Sequence, residues 1–172
     1  MIIRRATADD AELLSELARK IFFDTFGPDN TPEDMAIHAR KSYSRDIQLR
    51  ELTDDSLTYL IAESDGQPAG FAMIGAPRSP SCSEFTRPVE LFRFYVDKDW
   101  HGKGIAQPMM TACEEEAVRR GGGTICLSVW ERNPRAIRFY EKIGFRKAGT
   151  QPYVLGNDVQ TDWVMVRDIR GG

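Results

Sequence analysis

The amino-acid sequence predicts an α/β protein in which helices pack on a sheet that contains both antiparallel and parallel strands. Two strand-like runs, residues 56–63 and 68–76, flank an Asp-Gly pair typical of a hairpin, so they are expected to be antiparallel. Between residues 89 and 130 a strand, a helix and a second strand follow one another, an order that makes the two strands parallel. Two more strand-like runs, 153–156 and 161–169, predict a final antiparallel pair.

Length and composition set the bounds on the class of protein. The 172 residues, 41% hydrophobic and 28% charged, predict one domain over residues 1–172. A net charge of −3 argues against nucleic acid as a partner. With no apolar run near the ~20 residues that span a bilayer and no secretory h-region, we expect a cytoplasmic protein without a membrane partner. Cys82, Cys113 and Cys126 are scattered, which favours reduced thiols, and the two histidines lack the spacing of metal ligands.

The first fifty residues predict a strand followed by three helices. Residues 1–7 form the strand, and an apolar stripe that starts at Leu13 marks the first helix. Residues 22–35 contain a loop marked by Gly27, Pro28 and Pro32, and within them Thr31 and Pro32 are a good helix start. That second helix is expected to reach about Tyr43, and a short third helix covers residues 44–52.

The predicted loop concentrates acidic and aromatic residues. Four acids lie within residues 24–34, beside three phenylalanines. Each acid taken singly is explained by helix capping or by exposure to solvent. Taken together, the acids and phenylalanines suggest the rim of a site that binds a cationic substrate. The candidate substrate contacts in this rim are Asp24, Phe26 and Glu33.

The middle of the chain holds an irregular stretch and a strand. Residues 78–87, with prolines around them, predict a mobile surface loop. In the strand at 89–96, alternation predicts one face with Glu90, Phe92, Phe94 and Val96 and another with Leu91, Arg93 and Tyr95. The charge of Arg93 is expected to pair with a neighbouring residue.

A glycine turn and the start of a helix follow this strand. The first amides of a helix have no internal partner, and Gly102 and Gly104 let the backbone approach a ligand, so a phosphate would suit this point. Lys103 adds a cation. A tight connection without any ligand is about as common for an isolated Gly-x-Gly.

A second helix of interest follows the strand at 124–130. Asn133 is a suitable cap, Pro134 stands at the first helical position, and Gly144 ends the helix. In isolation, Tyr140 on its apolar face reads as a core tyrosine.

Two motifs in this half of the chain resemble those of the GNAT N-acetyltransferase superfamily. His101-Gly102-Lys103-Gly104-Ile105-Ala106 resembles its pyrophosphate loop, Q/R-x-x-G-x-G/A, with His in the first position. Residues 133–145 match N-x-x-A-x-x-F-Y-E-K-x-G-F, a second signature about thirty residues later. The resemblance covers nearly the whole chain and implies a mixed, twisted sheet of six or seven strands, flanked by helices and splayed between its central parallel strands. Residues 22–35 and 153–165 further resemble the PaiA-like polyamine acetyltransferase branch.

The resemblance implies transfer of acetyl from acetyl-CoA to a primary amine by direct attack in a ternary complex. The backbone N–H of Val96 would polarise the acetyl carbonyl, and Tyr140 would protonate the leaving thiolate. Many relatives carry a Glu where this chain has Phe92, so Glu90 is the candidate base. The residues expected to bind the cofactor are Phe94, Tyr95, Val96, His101, Gly102, Lys103, Gly104, Ile105, Ala106, Asn133, Ala136, Phe139, Tyr140 and Lys142.

The acceptor is the least defined part of the prediction. Spermidine or spermine is the leading small-molecule class, with a peptide, protein or aminoglycoside amine as the alternative. Contact with the acceptor is one interpretation of Asp158 and Asp162, although turn and surface acids are the simpler one. A different class of function is a CoA-binding regulatory module without turnover. The presence of Tyr140 and both glycines argues against it, while Phe92 in place of the usual acid leaves it open. The resemblance is also consistent with a homodimer formed through the last strands.

Overall fold

A computed structural model describes residues 1–169 and contains a seven-stranded mixed sheet with the strand order β1-β2-β3-β4-β5-β7-β6. The strands are β1 (Ile2–Arg5), β2 (Leu57–Ser64), β3 (Gln67–Gly75), β4 (Pro88–Val96), β5 (Thr124–Trp130), β6 (Arg146–Leu155) and β7 (Asp158–Asp168). Neighbours are antiparallel except β4 and β5, which are parallel. The predicted fold class is confirmed.

Within residues 1–169, six α-helices flank the sheet. They are α1 (Ala11–Phe26), α2 (Pro32–Ser42), α3 (Arg45–Leu52), α4 (Pro80–Ser83), α5 (Ala106–Arg119) and α6 (Pro134–Lys142). Helix α1 continues to Phe26, through residues predicted as loop, because Phe22 is buried on its apolar face and Gly27-Pro28 comes only later. Along residues 1–169 we find no helix with the length and apolarity to cross a membrane.

Each face of the sheet has its own apolar core. On one face, α5 and α6 pack against β3, β4 and β5 around Met110, Ile125 and Leu127. On the other face, α1 and α2 pack on β2 and β3 around Leu14 and Phe71. This two-sided burial explains why the central strands are apolar almost throughout.

Strand β4 contains a β-bulge that sequence alternation did not predict. Along β3, Met73 lies opposite Arg93 and the next residue, Ile74, lies opposite Leu91. Phe92 is therefore an extra residue in β4 that has no partner in β3. It interrupts the alternation of side chains between the two faces of the strand.

The bulge corrects the predicted faces of β4. Phe92 and Tyr95 pack with the α1–α2 core, whereas Phe94 packs with the α5–α6 core. The prediction that Glu90 shares a face with Phe94 and Val96 is wrong, because the extra residue reverses the alternation between them.

Strands β4 and β5 pair only over their first halves. Residues 88–91 of β4 are in register with residues 124–127 of β5, after which the two strands diverge. Beyond Leu91, β4 is paired on its β3 side alone, so the edge that faces β5 keeps unpaired backbone groups. The expected splay between the central parallel strands is present.

The segment predicted as a mobile loop is anchored to the sheet. Its helix α4 carries Cys82, which is fully buried and forms a disulfide with Cys126 of β5. The expectation of reduced thiols is wrong for this pair and holds for Cys113, which is free and buried. Residues 82 and 126 are far apart in sequence, and only the return of this segment across β5 brings their sulfurs together.

Candidate functional site

The divergence of β4 from β5 opens two connected cavities. The first, the glycine-loop cavity, has a volume of about 640 Å³ and extends to the turn before α5. The second, the aromatic cavity, has a volume of about 410 Å³ and lies between β4, β5 and α1–α2. Phe94, Tyr95 and Tyr140 are among the residues that line both, so the two cavities meet beside these side chains.

The turn before α5 presents backbone amides to the glycine-loop cavity. Gly102 and Gly104 have φ angles of +76° and +78°, in the left-handed region that favours glycine. Among the described residues the N–H groups of Gly104 and Ile105 find no backbone acceptor. Helix α5 begins at Ala106, and its dipole adds partial positive charge at the same place. The predicted glycine turn at the start of a helix is thus formed, and it has the free amides that an anion would need.

His101 ties this turn to the end of β4. Its Nε2 lies 2.9 Å from the carbonyl oxygen of Val96, and the guanidinium of Arg135 contacts its Nδ1. Because the carbonyl only accepts and the guanidinium only donates, the proton of the neutral ring belongs on Nε2. Burial lowers the pKa of His101, which favours that neutral form.

Nearly all the residues predicted to bind a cofactor line the glycine-loop cavity. The exception is Lys103, whose ammonium lies over the Trp100 ring, 4.7 Å from its centroid. Arg135 and Gln107 also line the cavity and were missed, since they occupy positions that the two motifs leave unspecified. In α6, the Asn133 side chain accepts a hydrogen bond from the Ala136 N–H, so it caps the helix as predicted.

The aromatic cavity is walled by rings from both layers of the molecule. The Phe26 ring on α1 lies 5.8 Å from that of Trp130 on β5, and the Phe22 ring stacks on His38 at 4.7 Å. The hydroxyl of Tyr153 lies 3.0 Å from His38 Nε2. Burial lowers the pKa of His38 to about 4, so this histidine is neutral at physiological pH and adds no positive charge to the wall.

Two carboxylates of the aromatic cavity are held by neighbours. Glu51 accepts hydrogen bonds from the Arg93 guanidinium at 2.7 Å and the Tyr59 hydroxyl at 2.6 Å. Glu90 Oε2 accepts from the backbone N–H groups of Arg78 and Ser79, at 2.7 and 3.0 Å. The predicted structural pairing of Arg93 is confirmed.

The residues predicted to contact the substrate are divided among different places. Phe26 and Glu90 line the aromatic cavity. Asp24 instead lines the glycine-loop cavity, where Lys98 Nζ lies 2.8 Å from its carboxylate. Glu33 is exposed in the first turn of α2 and lines neither cavity. Because α1 continues through Asp24, the acids that are close in sequence do not form one cluster.

Tyr140 stands where the two cavities meet. Its ring centroid lies 5.4 Å from that of Phe139 and 5.5 Å from that of Phe145, and these edge-to-face contacts fix the ring. Burial raises the pKa of Tyr140 above its usual range, so the hydroxyl is protonated at neutral pH.

These features suit a protein that binds a phosphate-bearing molecule with an extended chain. The glycine turn and the start of α5 suit the phosphates, and the unpaired edge of β4 suits an arm that hydrogen-bonds like an added strand. The protonated Tyr140 at the end of that path suits a leaving group that needs a proton.

Comparison with known proteins identifies the family to which this chain belongs. The profile of the acetyltransferase (GNAT) family matches residues 14–145. An uncharacterised N-acetyltransferase of Mycobacterium bovis is 32% identical over 160 residues, or 93% of this chain and 98% of that protein. The spermine/spermidine N(1)-acetyltransferase of Bacillus subtilis is 33% identical over 107 residues, or 61% of this chain and 66% of that protein. The structure of PaiA N-acetyltransferase from Thermoplasma acidophilum in complex with coenzyme A has a TM-score of 0.80 and 23% identity, covering 97% of this chain and 98% of that one.

The chain belongs to the GNAT family of acetyltransferases. It is an acetyl-CoA-dependent N-acetyltransferase, and the predictions of family, enzyme class and cofactor are confirmed.

Proposed function

We propose that the acceptor is the primary amine of a small cationic molecule, with spermidine or spermine as the leading class. The observation that supports this most directly is the aromatic cavity, which joins the glycine-loop cavity at Tyr140. In this arrangement acetyl-CoA occupies the glycine-loop cavity, the amine occupies the aromatic cavity, and the acetyl group lies between them.

The glycine-loop cavity fits the cofactor by the chemistry of its walls. The amides of Gly104 and Ile105 and the start of α5 would hold the pyrophosphate, with Lys142 and Arg135 as nearby cations. The edge of β4 that β5 leaves free would hold the pantetheine arm. Phe139 would pack on the apolar part of that arm.

The backbone of β4 also supports the proposed role of Val96. The N–H of Asp97 donates to the carbonyl of Ala69 on β3 at 2.9 Å. In an antiparallel ladder consecutive residues point their N–H groups to opposite sides, so the N–H of Val96 is directed away from β3 and toward the gap. A donor there is suited to polarise the acetyl carbonyl and stabilise the oxyanion that forms on attack.

The reaction then proceeds by direct attack. The neutral amine adds to the thioester carbonyl, forming the C–N bond, and collapse of the tetrahedral intermediate breaks the C–S bond. Tyr140 gives its proton to the departing thiolate and regains one from the acetylated nitrogen. Each turnover releases the acetylated amine, free CoA and one proton that came from the acceptor ammonium.

The walls of the aromatic cavity favour a cation. The faces of Phe26 and Trp130 attract alkylammonium groups through their ring quadrupoles. The neutral His38 adds no positive charge that would repel a cation, and the carboxylate of Glu51 neutralises the charge of Arg93. The similarity to the Bacillus subtilis spermine/spermidine N(1)-acetyltransferase supports the same acceptor class.

A thiol-release assay with acetyl-CoA tests the proposed acceptor. The panel contains spermidine, spermine, an aminoglycoside, a lysine peptide and a peptide with a free N-terminus. We expect turnover with the polyamines and at least a tenfold lower kcat/KM with the others, a difference of about 1.4 kcal/mol in transition-state binding. Preference for a peptide or the aminoglycoside would contradict the proposed substrate class.

Replacing Gly104 by Ala is expected to weaken CoA binding about tenfold or more. An L side chain at φ +78° strains the turn by about 1–2 kcal/mol, and no atom lies within 4 Å of the added Cβ, which would occupy the open space before α5. Isothermal titration with CoA measures the effect.

Gly66→Ala is the matched control for this variant. Gly66 has a φ of +74° and is equally open, but it lies in the turn between β2 and β3 and lines neither cavity. It is expected to bind CoA as the wild type does. Equal CoA affinity in both variants would show that the glycine turn does not hold the cofactor.

A further inference from the structure

Three carboxylates line the aromatic cavity, and they differ in what surrounds them. Glu51 is engaged by Arg93 and Tyr59, and Glu90 by the N–H groups of Arg78 and Ser79. An incoming ammonium would have to compete with those donors. The third carboxylate, that of Asp162 on β7, has an oxygen without a hydrogen-bond donor.

Asp162 is buried without a donor for one of its oxygens. It lies opposite Trp130 of β5, and 6% of its surface is exposed. Within residues 1–169, its Oδ1 is buried and finds no hydrogen-bond partner. Buried polar groups are nearly always satisfied, because an unpaired one loses its hydration without compensation. A carboxylate kept in this state at the wall of a ligand cavity is suited to a partner that arrives with the ligand.

The surroundings of Asp162 increase its affinity for a proton or a cation. Glu131 directly follows β5 beside it, and Gln151 lies opposite it on β6. Tyr153, two residues further along β6, is close enough to interact with its charge, and the Tyr153 hydroxyl contacts the neutral His38. Burial, reinforced by the negative charge of Glu131, raises the pKa of Asp162 to about 6. None of these neighbours is a cation that offsets the charge of Asp162. The site therefore lacks the positive group that an ammonium ligand would supply.

We propose that Asp162 binds the reacting ammonium group of the acceptor and takes its proton. This inference rests on the proposed function and adds the base that the reaction needs. The carboxylate accepts one proton from R–NH3⁺, leaving the neutral amine with a free electron pair for the thioester carbon. The carboxylic acid then releases that proton to solvent once the product leaves. Tyr140 separately donates a proton to the sulfur and accepts one from the nitrogen. Glu90, predicted as the base, is left with the role of holding the segment before α4.

The test compares Asp162→Asn with Asp158→Asn. Asp158 is exposed at the start of the same strand, and its carboxylate accepts a hydrogen bond from Gln160. The amide introduced by Asp162→Asn keeps the shape of the side chain and cannot accept a proton at neutral pH. We expect Asp162→Asn to lower kcat/KM for the acceptor about 10²-fold or more, with unchanged CoA affinity and no loss in melting temperature. The Asp158→Asn variant is expected to stay within about threefold of the wild type.

A pH profile separates a base from a merely structural group. In the wild type kcat/KM is expected to fall at acidic pH as Asp162 becomes protonated, and Asp162→Asn is expected to lack that limb. Retention of wild-type activity by Asp162→Asn, or an unchanged acidic limb, would overturn the proposal.

Binding keeps this proposal separable from the proposed function. If the wild type acetylated no amine of the panel, the proposed function would fail, and Asp162 would still be judged by calorimetry with spermidine and the CoA-saturated protein. A loss of spermidine affinity of about tenfold or more in Asp162→Asn would support the cation site. Equal affinity, or no binding to the wild type, would overturn it.

Discussion

Replacing Tyr140 by Phe is expected to lower kcat by about 10²-fold or more while the affinity for CoA stays close to that of the wild type. The ring packs among Phe94, Phe139 and Phe145, and those contacts do not involve the hydroxyl. Phenylalanine therefore keeps the wall of both cavities and removes only the proton donor for the thiolate. Steady-state kinetics with acetyl-CoA and titration with CoA measure the two quantities.

Tyr59→Phe is the matched control for Tyr140→Phe. Tyr59 is also a buried tyrosine, but its hydroxyl contacts Glu51 and Arg93 and it lines neither cavity. This variant is expected to lose about 1–3 kcal/mol of stability, since it leaves polar partners unsatisfied, with kcat little changed. If Tyr140→Phe kept the wild-type kcat, Tyr140 would be a core residue and another group would protonate the thiolate.

The structure of the two cofactor motifs could be predicted from the sequence because the residues of each motif are close together in the chain. The amides of the glycine turn belong to consecutive residues, so the positive φ of Gly102 and Gly104 brings them together without help from the rest of the fold. The same holds for α6, where Asn133 caps its own helix three residues before Ala136. Short sequence separation makes such geometry predictable.

The geometry of the aromatic cavity was predicted less well, because it depends on pairing between distant segments. The bulge at Phe92 arises from the register between β3 and β4, and nothing within residues 89–96 indicates one extra residue. Asp162 looks like a surface acid in sequence, and it is buried only because β7 pairs with β5 opposite Trp130. The position of Asp24 is equally hard to predict from the sequence, since the length of α1 decides which cavity it faces.

Reduction of the Cys82–Cys126 disulfide is expected to lower the free energy of unfolding by about 4 kcal/mol, because the bridge closes a loop with a sequence separation of 44. Urea unfolding with and without reductant measures the change, and a thiol titration reports how many sulfurs are free. Cys113→Ala is the matched control: it removes the free thiol, leaves the bridge, and is expected to show the same dependence on reductant. An unfolding midpoint that did not move when the bridge was opened would contradict this expectation.

The same bridge is expected to affect acceptor binding more than cofactor binding. Cys126 lies opposite Glu90 in the register of β5 with β4, and Cys82 lies four residues after Arg78, whose N–H donates to that carboxylate. Opening the bridge frees the segment whose N–H groups hold Glu90 at the wall of the aromatic cavity, whereas the glycine turn follows the opposite, C-terminal end of β4. Under reductant, KM for the amine should therefore rise severalfold while the Kd for CoA is unchanged. A parallel loss of both affinities would mean that reduction loosens the whole sheet, and the disulfide would then support the fold without any particular relation to the acceptor.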